Sequence, residues 1–223
     1  MKGDSPMPQC ECRKSVSRCQ VACRLAQLAV IFAMASWAAS SVQAAQPTVE
    51  SALAVVKDTL SGVLAVLNNA QLQESEKRRR IEDIVATRFD YREMSKRTLA
   101  AQWRRLTEPQ QAEFVDSFKM FLSDRYAGKI RDYAGEKVEY LGERLDGDYA
   151  EIRTRLVSSK TNYPLDYRLI YTNGQWHAYD IVVDGVSLVK NYRSQFERII
   201  RADSYDELIR RMKNRTFAEE QKG

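Results

Sequence analysis

The spacing of apolar residues changes period twice along this chain, and the two changes leave few folds open. From Thr48 onward Leu53, Val56, Leu60, Val63, Leu64 and Leu67 recur at three- and four-residue steps, the pattern of one helix face. After Gly135 the period drops to two in Lys137–Arg144, Tyr149–Ser158, Tyr163–Thr172 and Gln175–Val183, as along β-strands. Helical spacing returns beyond Ser187, through Ile199-Ile200 and again over Ser204–Lys213. Helices, an antiparallel meander and helices again define an α+β domain with helices laid on one face of a sheet.

Local signals sharpen the helical part. Thr48 is a suitable N-cap for the first helix, and Asn68-Asn69 ends it. A second helix is expected over Ser75–Thr87, with Ile81, Ile84 and Val85 inward and Lys77–Arg80 in water. The run Arg78-Arg79-Arg80 reads as a solvated helix face, with a membrane-surface or partner patch as the alternative. Phe89-Asp90-Tyr91 leads into a third helix over Arg92–Leu106. Thr107-Glu108-Pro109-Gln110 then combines a capping threonine, a first-turn proline and a capping-box glutamine. The helix it starts carries Phe114, Phe118, Phe121, Leu122 and Tyr126 on one side, a stripe that suits an ordinary core and the wall of an apolar pocket equally.

Two turn pairs set the register of the strands. Asp146-Gly147 and Asn173-Gly174 are two-residue hairpin signals of the type I′ kind. For the second hairpin this register predicts Tyr171 opposite Trp176, Leu169 opposite Ala178, Tyr167 opposite Asp180 and Leu165 opposite Val182. One face then holds Leu165, Tyr167, Leu169, Tyr171, Trp176, Ala178 and Val182 and should look inward. The other carries Asp166, Arg168, Thr172, Gln175 and His177, although Ile170, Ile181 and Val183 fall there too. In the first hairpin Leu141, Ala150, Ile152 and Leu156 share a face, less cleanly because Glu139 and Glu143 share it.

Ahead of the helical pattern lies a segment of different character. Arg13, Lys14, Arg18 and Arg24 precede the uncharged apolar run Leu25–Ala39, and Val42-Gln43-Ala44 supplies small residues where a signal peptidase reads. The run is shorter than the ~20 apolar residues of a spanning helix. Residues 1–45 are therefore expected to be a cleaved secretory signal region, 46–217 a single domain and 218–223 a flexible tail. All four cysteines (Cys10, Cys12, Cys19, Cys23) fall in the discarded part, so no disulfide or thiolate metal site is expected in the mature domain. Five basic and two acidic side chains precede Ala45, leaving 30 basic against 28 acidic, a balance that gives nucleic-acid binding no support.

Motifs for common chemistries are missing from the sequence. His177 is the only histidine, without a second histidine or a Gly-x-Ser-x-Gly nucleophile, and no P-loop, dinucleotide fingerprint or His-Glu-x-x-His motif occurs. No catalytic residue, metal ligand or cofactor site is assigned. One acid stands out: in the expected register Asp180 shares the inner face with Tyr167. Such a pair is either the base and oxyanion donor of a cavity isomerase or a hydrogen bond that holds the sheet together.

The run Trp176-x-x-x-Asp180-Ile181-x-x-Asp184-Gly185-Val186-Ser187-Leu188, followed by Asn191-Tyr192-Arg193 and Gln195-Phe196, resembles the signature of the Mla (toluene-tolerance, MlaC-type) family of periplasmic phospholipid-binding proteins. From the residues alone, Asp184-Gly185 is a turn and Ser187 a helix cap, while Tyr192 and Arg193 either approach a phosphate or face water. The resemblance implies an NTF2-like curved antiparallel sheet of about four strands, covered by N-terminal and C-terminal helices around an apolar cavity. It further implies a soluble periplasmic carrier of diacyl phospholipid that maintains outer-membrane lipid asymmetry, usually by retrograde transport. Its partners would be an outer-membrane lipoprotein–porin complex and an inner-membrane ABC-type transporter complex, docked transiently. Candidate tail-lining residues are Phe118, Phe121, Leu122, Leu141, Ile152 and Leu156. On the second hairpin they continue with Leu165, Tyr167, Leu169, Tyr171, Trp176 and Val182. Two other readings stay open, a cavity isomerase using Asp180 and Tyr167, and an adaptor with no cavity ligand.

Overall fold

Capped helices, a meander and a second set of helices follow one another as the periodicities require. The computed structural model describes residues 46–131, 135–157 and 162–217, so the expected signal region and tail lie outside it. The first helices are α1 (Val49–Leu67), α2 (Glu74–Arg88), α3 (Tyr91–Leu99) and α4 (Glu108–Arg131). Strands β1 (Lys137–Asp146), β2 (Tyr149–Val157), β3 (Asn162–Thr172), β4 (Gln175–Val183) and the two-residue β5 (Val186–Ser187) form one antiparallel sheet in sequence order. Helices α5 (Leu188–Ala202) and α6 (Tyr205–Lys213) complete the described fold, an α+β architecture with four long strands and one short one.

The caps sit where their residue types place them. Thr48 and Ser51 form a reciprocal capping box at α1, and Ser51 also accepts a hydrogen bond of 2.8 Å from the indole of Trp176, tying the helix start to β4. Thr107 and Gln110 cap α4 in the same way. The expected single helix over Arg92–Leu106 is instead two pieces. Ala100, with φ of +49°, ends α3, and a 3-10 turn runs from Ala100 to Arg105.

Asn173-Gly174 forms its two-residue turn with both φ angles positive, and Tyr171 pairs with Trp176 and Leu169 with Ala178. Beyond that point the expected register fails. Arg168 pairs with Asp180, because Tyr179 is an extra residue in β4 and makes a β-bulge. A one-residue slip moves every following side chain to the other face. Asp180 and Val182 therefore leave the face of Tyr167 and Leu165, and Ile181 and Val183 take their places. The first hairpin departs likewise: its turn is Gly147-Asp148, one residue later than expected, and a bulge at Leu141 leaves that side chain 46% exposed.

Two cores result. In one, Ala52 and Val56 of α1 pack on Ile152, Leu169 and Trp176 of the sheet. The other is wholly helical and rich in rings. Phe118 meets Tyr192 and Phe196 edge-on at 5.7 and 5.6 Å between centroids, and Phe121 meets Tyr192 at 5.3 Å. Between them stands β4. Phe89 bridges Ala178, and the amide of Asp90 donates to the Ala178 carbonyl at 3.0 Å, so the α2–α3 junction is pinned beside the bulge.

Asp180, 2% exposed, fastens the sheet to α5. It accepts from the Ser187 hydroxyl at 2.6 Å, from the Val189 amide at 3.0 Å and from the Arg168 guanidinium at 3.2 Å. Asp180→Ala would strand a buried hydroxyl and an amide and is expected to lower the unfolding free energy by about 3 kcal/mol, read from urea denaturation.

Candidate functional site

Ala52 and Val56 of α1 are buried on the sheet, but the apolar stripe beyond them is less covered. Leu60, Val63 and Leu64 continue the apolar stripe of Ala52 and Val56 yet remain only half-buried. They face a cavity of about 910 Å³. Ile81, Val85 and Ala86 of α2 form a second wall, and Leu122, Tyr126, Ala127 and Ile130 of α4 a third. The sheet contributes Leu156, Leu165, Tyr167, Ile181 and Val183, while Phe89, Tyr91, Met94 and Leu188 line the remainder. Close-packed interiors leave few voids larger than a water molecule, so an apolar space of this size is built for an occupant. Its volume falls near the top of the ~300–1,000 Å³ range of small-molecule sites.

Long charged side chains cross from α2 to α4 at the rim. Arg78 donates to Glu82 at 2.8 Å and to Asp124 at 2.6 Å, and Ser123 bonds the same Glu82 carboxylate. Burial works to raise the Glu82 carboxyl, but hydrogen bonds from Ser123 and Arg78 outweigh it and hold the group below the usual range. Arg215 also reaches Asp124, at 2.9 Å. The arginine run thus divides: Arg78 serves the rim, whereas Arg79 and Arg80 both bind Glu76 in water.

Of the candidate residues read from the sequence, Leu122, Leu156, Leu165 and Tyr167 border the cavity. Phe118 and Phe121 belong to the helical core instead, and Ile152, Leu169 and Trp176 to the core beneath α1. Tyr171 packs against that same core, its ring tilted against Trp176 with centroids 5.2 Å apart. Leu141 is turned out by its bulge, and Val182 is buried on the opposite face by the bulge at Tyr179. The wall residues that were missed, Ile181 and Val183, carried a signal: with Ile170 they are β-branched apolar side chains on a face otherwise read as polar. Leu60, Val63 and Leu64 were legible as an inward stripe but not as one facing empty space.

The bulge also separates the isomerase pair. Tyr167 looks into the cavity, whereas Asp180 is buried on the other face among Ser187, Val189 and Arg168. His177 is half-buried on β4, its Nδ1 without a hydrogen-bond partner. No group of acids, histidines and cysteines arranged to hold a metal occurs among the described residues.

The signature segment is mostly scaffold. Ser187 caps α5 through the Lys190 amide, and Tyr192 and Phe196 fill the aromatic core. Arg193 is half-buried, and its guanidinium donates to the Arg97 carbonyl at 2.8 and 2.6 Å, tying α5 to α3. Ile181 and Leu188 are the signature residues that touch the cavity.

Fold and site together define an α+β domain with an apolar cavity and a charged rim. The chain belongs to the MlaC family, whose family model, described as MlaC protein, matches residues 57–214. Among its relatives is the "intermembrane phospholipid transport system binding protein MlaC" of Haemophilus influenzae, 23% identical over 122 residues, covering 52% of this chain and 57% of that protein. The "toluene tolerance protein ttg2D" of Pseudomonas putida is 23% identical over 116 residues, covering 51% and 54%. The chain thus spans little more than half the length of the curated relatives it matches. A phospholipid-binding protein from Ralstonia solanacearum, solved in complex with a phospholipid, shares the fold with a TM-score of 0.68 and 24% identity, over 74% of this chain and 96% of that one.

Two outcomes test the distinction between core and wall. Leu169→Ala, in a filled core, is expected to cost about 3 kcal/mol, but Val63→Ala, which already borders open space, about 1 kcal/mol or less in the same urea titration. Burial, with Glu82 as a second cause, pushes the Tyr91 phenol up to about 12. A folded-state value above the unfolded one means that this contribution is intact below the unfolded value of 10.0 and is lost as pH rises through the folded value. Stability should therefore fall between pH ~10 and ~12, and Tyr91→Phe should fall less steeply there.

Proposed function

We propose that this protein is a phospholipid carrier that shelters acyl chains in the cavity between α1, α2, α4 and the sheet. The observation that carries the reading is the apolar volume of about 910 Å³ left open within a chain of the MlaC family. An acyl CH₂ in water costs about 0.8 kcal/mol, so two bare chains cost on the order of 20 kcal/mol or more. A carrier needs to cover that surface during transit. It does not need to bind tails more tightly than a bilayer does, because transfer between two apolar media is nearly neutral, and this suits a roomy wall of Leu, Val and Ile better than a close-fitting one.

Place and partners follow from the same reading. The charged N-terminal segment and the apolar run Leu25–Ala39 support export to the periplasm. No helix among the described residues is long and apolar enough to cross a membrane. Lipid would be exchanged with an outer-membrane lipoprotein–porin complex and an inner-membrane ABC-type transporter complex, in the service of outer-membrane asymmetry. The isomerase alternative gains no support, since its two residues stand on opposite faces of β4 and β3.

The decisive experiment is to purify the protein from a periplasm, extract it with organic solvent and weigh the extract by mass spectrometry. About one diacyl phospholipid or more per protein is expected. Protein that is empty on isolation and stays empty after incubation with phospholipid vesicles would overturn the carrier.

A further inference from the structure

The rim of the cavity is not evenly neutralised. Lys77 is paired with Glu74, Arg78 with Glu82 and Asp124, and Arg215 with Asp124. Two cations of α4 are treated differently. Lys119 lies three residues before Leu122 and Lys129 three after Tyr126, so both continue the helix face that looks into the cavity. Neither forms an ion pair among the described residues. Each ammonium instead sits over the ring of a cavity-wall tyrosine, Lys119 at 5.7 Å from the centroid of Tyr91 and Lys129 at 5.6 Å from that of Tyr126.

The difference has a chemical consequence. A carboxylate partner consumes a lysine's charge, whereas a ring face orients the ammonium and leaves its charge unspent. Both side chains are exposed, so their N–H donors are open to a ligand. At 1.5 Å of rise per residue the two Cα atoms lie about 15 Å apart along α4, one at each end of the slot between α2 and α4. A headgroup emerging at either end of the slot meets a cation. Among the described residues Asp83 is the rim acid without an ion pair and Arg131 a further cation without one, so the uncompensated charge of the rim is positive.

We propose that Lys119 and Lys129 form an anion-selective rim that contacts the phosphate of the bound lipid and favours anionic over zwitterionic headgroups. The inference rests on the phospholipid-carrier reading above. Anionic and zwitterionic headgroups share the phosphate charge, and the zwitterionic one adds an ammonium; an exposed lysine about 4 Å from that second cation disfavours it about fivefold at low salt. The preference should fade as salt shortens the screening length.

The test uses one vesicle preparation with equal amounts of phosphatidylglycerol and phosphatidylethanolamine, so that adsorption to the bilayer acts on both lipids alike. After incubation, protein is separated and its lipid measured by mass spectrometry. Wild type is expected to carry phosphatidylglycerol enriched about fivefold, and the Lys119→Gln, Lys129→Gln double variant a ratio within about twofold of the vesicle. Lys119→Glu with Lys129→Glu should reverse the preference. Wild type loaded with lipid at the vesicle ratio, or a double glutamine variant that keeps the enrichment, would overturn the rim and leave the carrier standing. Protein without lipid in every form would instead overturn the carrier, and the rim with it.

Discussion

Asp180 is withdrawn from water and its oxygens are met by a hydroxyl, a backbone amide and a guanidinium, drawn from β5, α5 and β3. A buried carboxylate persists only when its lone pairs are satisfied in this way. Its position depends on the extra residue at Tyr179, which turns the last part of β4 over. That one inserted residue sends the carboxylate towards the helices and the apolar pair Ile181 and Val183 towards the cavity. It also leaves the Ala178 carbonyl free to hold the amide of Asp90, so the junction of α2 and α3 is fixed at the same point.

From this arrangement the cavity follows as a consequence of unequal packing. Helix α1 is anchored at its N-terminal end, where Ser51 binds the Trp176 indole and Ala52 and Val56 meet the sheet. The aromatic core of α4, α5 and α6 holds the other side rigid through ring contacts. With both flanks fixed and α2 contributing one fully buried apolar residue, Ile81, nothing collapses into the space between. The family signature belongs to the rigid flank, and Ile181 and Leu188 are its residues that touch the cavity.

Electrostatics divides the surface from the interior in the same manner. Some of the described basic residues are tied to nearby acids, as Arg79 and Arg80 are to Glu76, and Arg210 and Arg211 to Glu207. These hydrogen bonds hold both glutamates down at about 2, so the pairs are intact at any physiological pH. With two arginines to each glutamate, the pairing offsets part of the charge of each cluster.

The order of elements, the capping boxes at Thr48 and Thr107, the two-residue turn at Asn173-Gly174, and the cap at Ser187 were all determined by the sequence, because each depends on side chains a few residues apart. The candidate site was legible only in part. Leu156, Leu165 and Tyr167 alternate on the correct face, but Leu169 and Trp176 alternate just as well and turned out to fill a core. Ile181, Val183 and Asp180 were assigned to the wrong faces, because a bulge costs the sequence no visible marker at Tyr179. Whether an apolar stripe meets a neighbour or a void was likewise decided only by the tertiary structure: periodicity specifies a direction from the helix or strand axis, while the distance to the next layer depends on how every other element is packed.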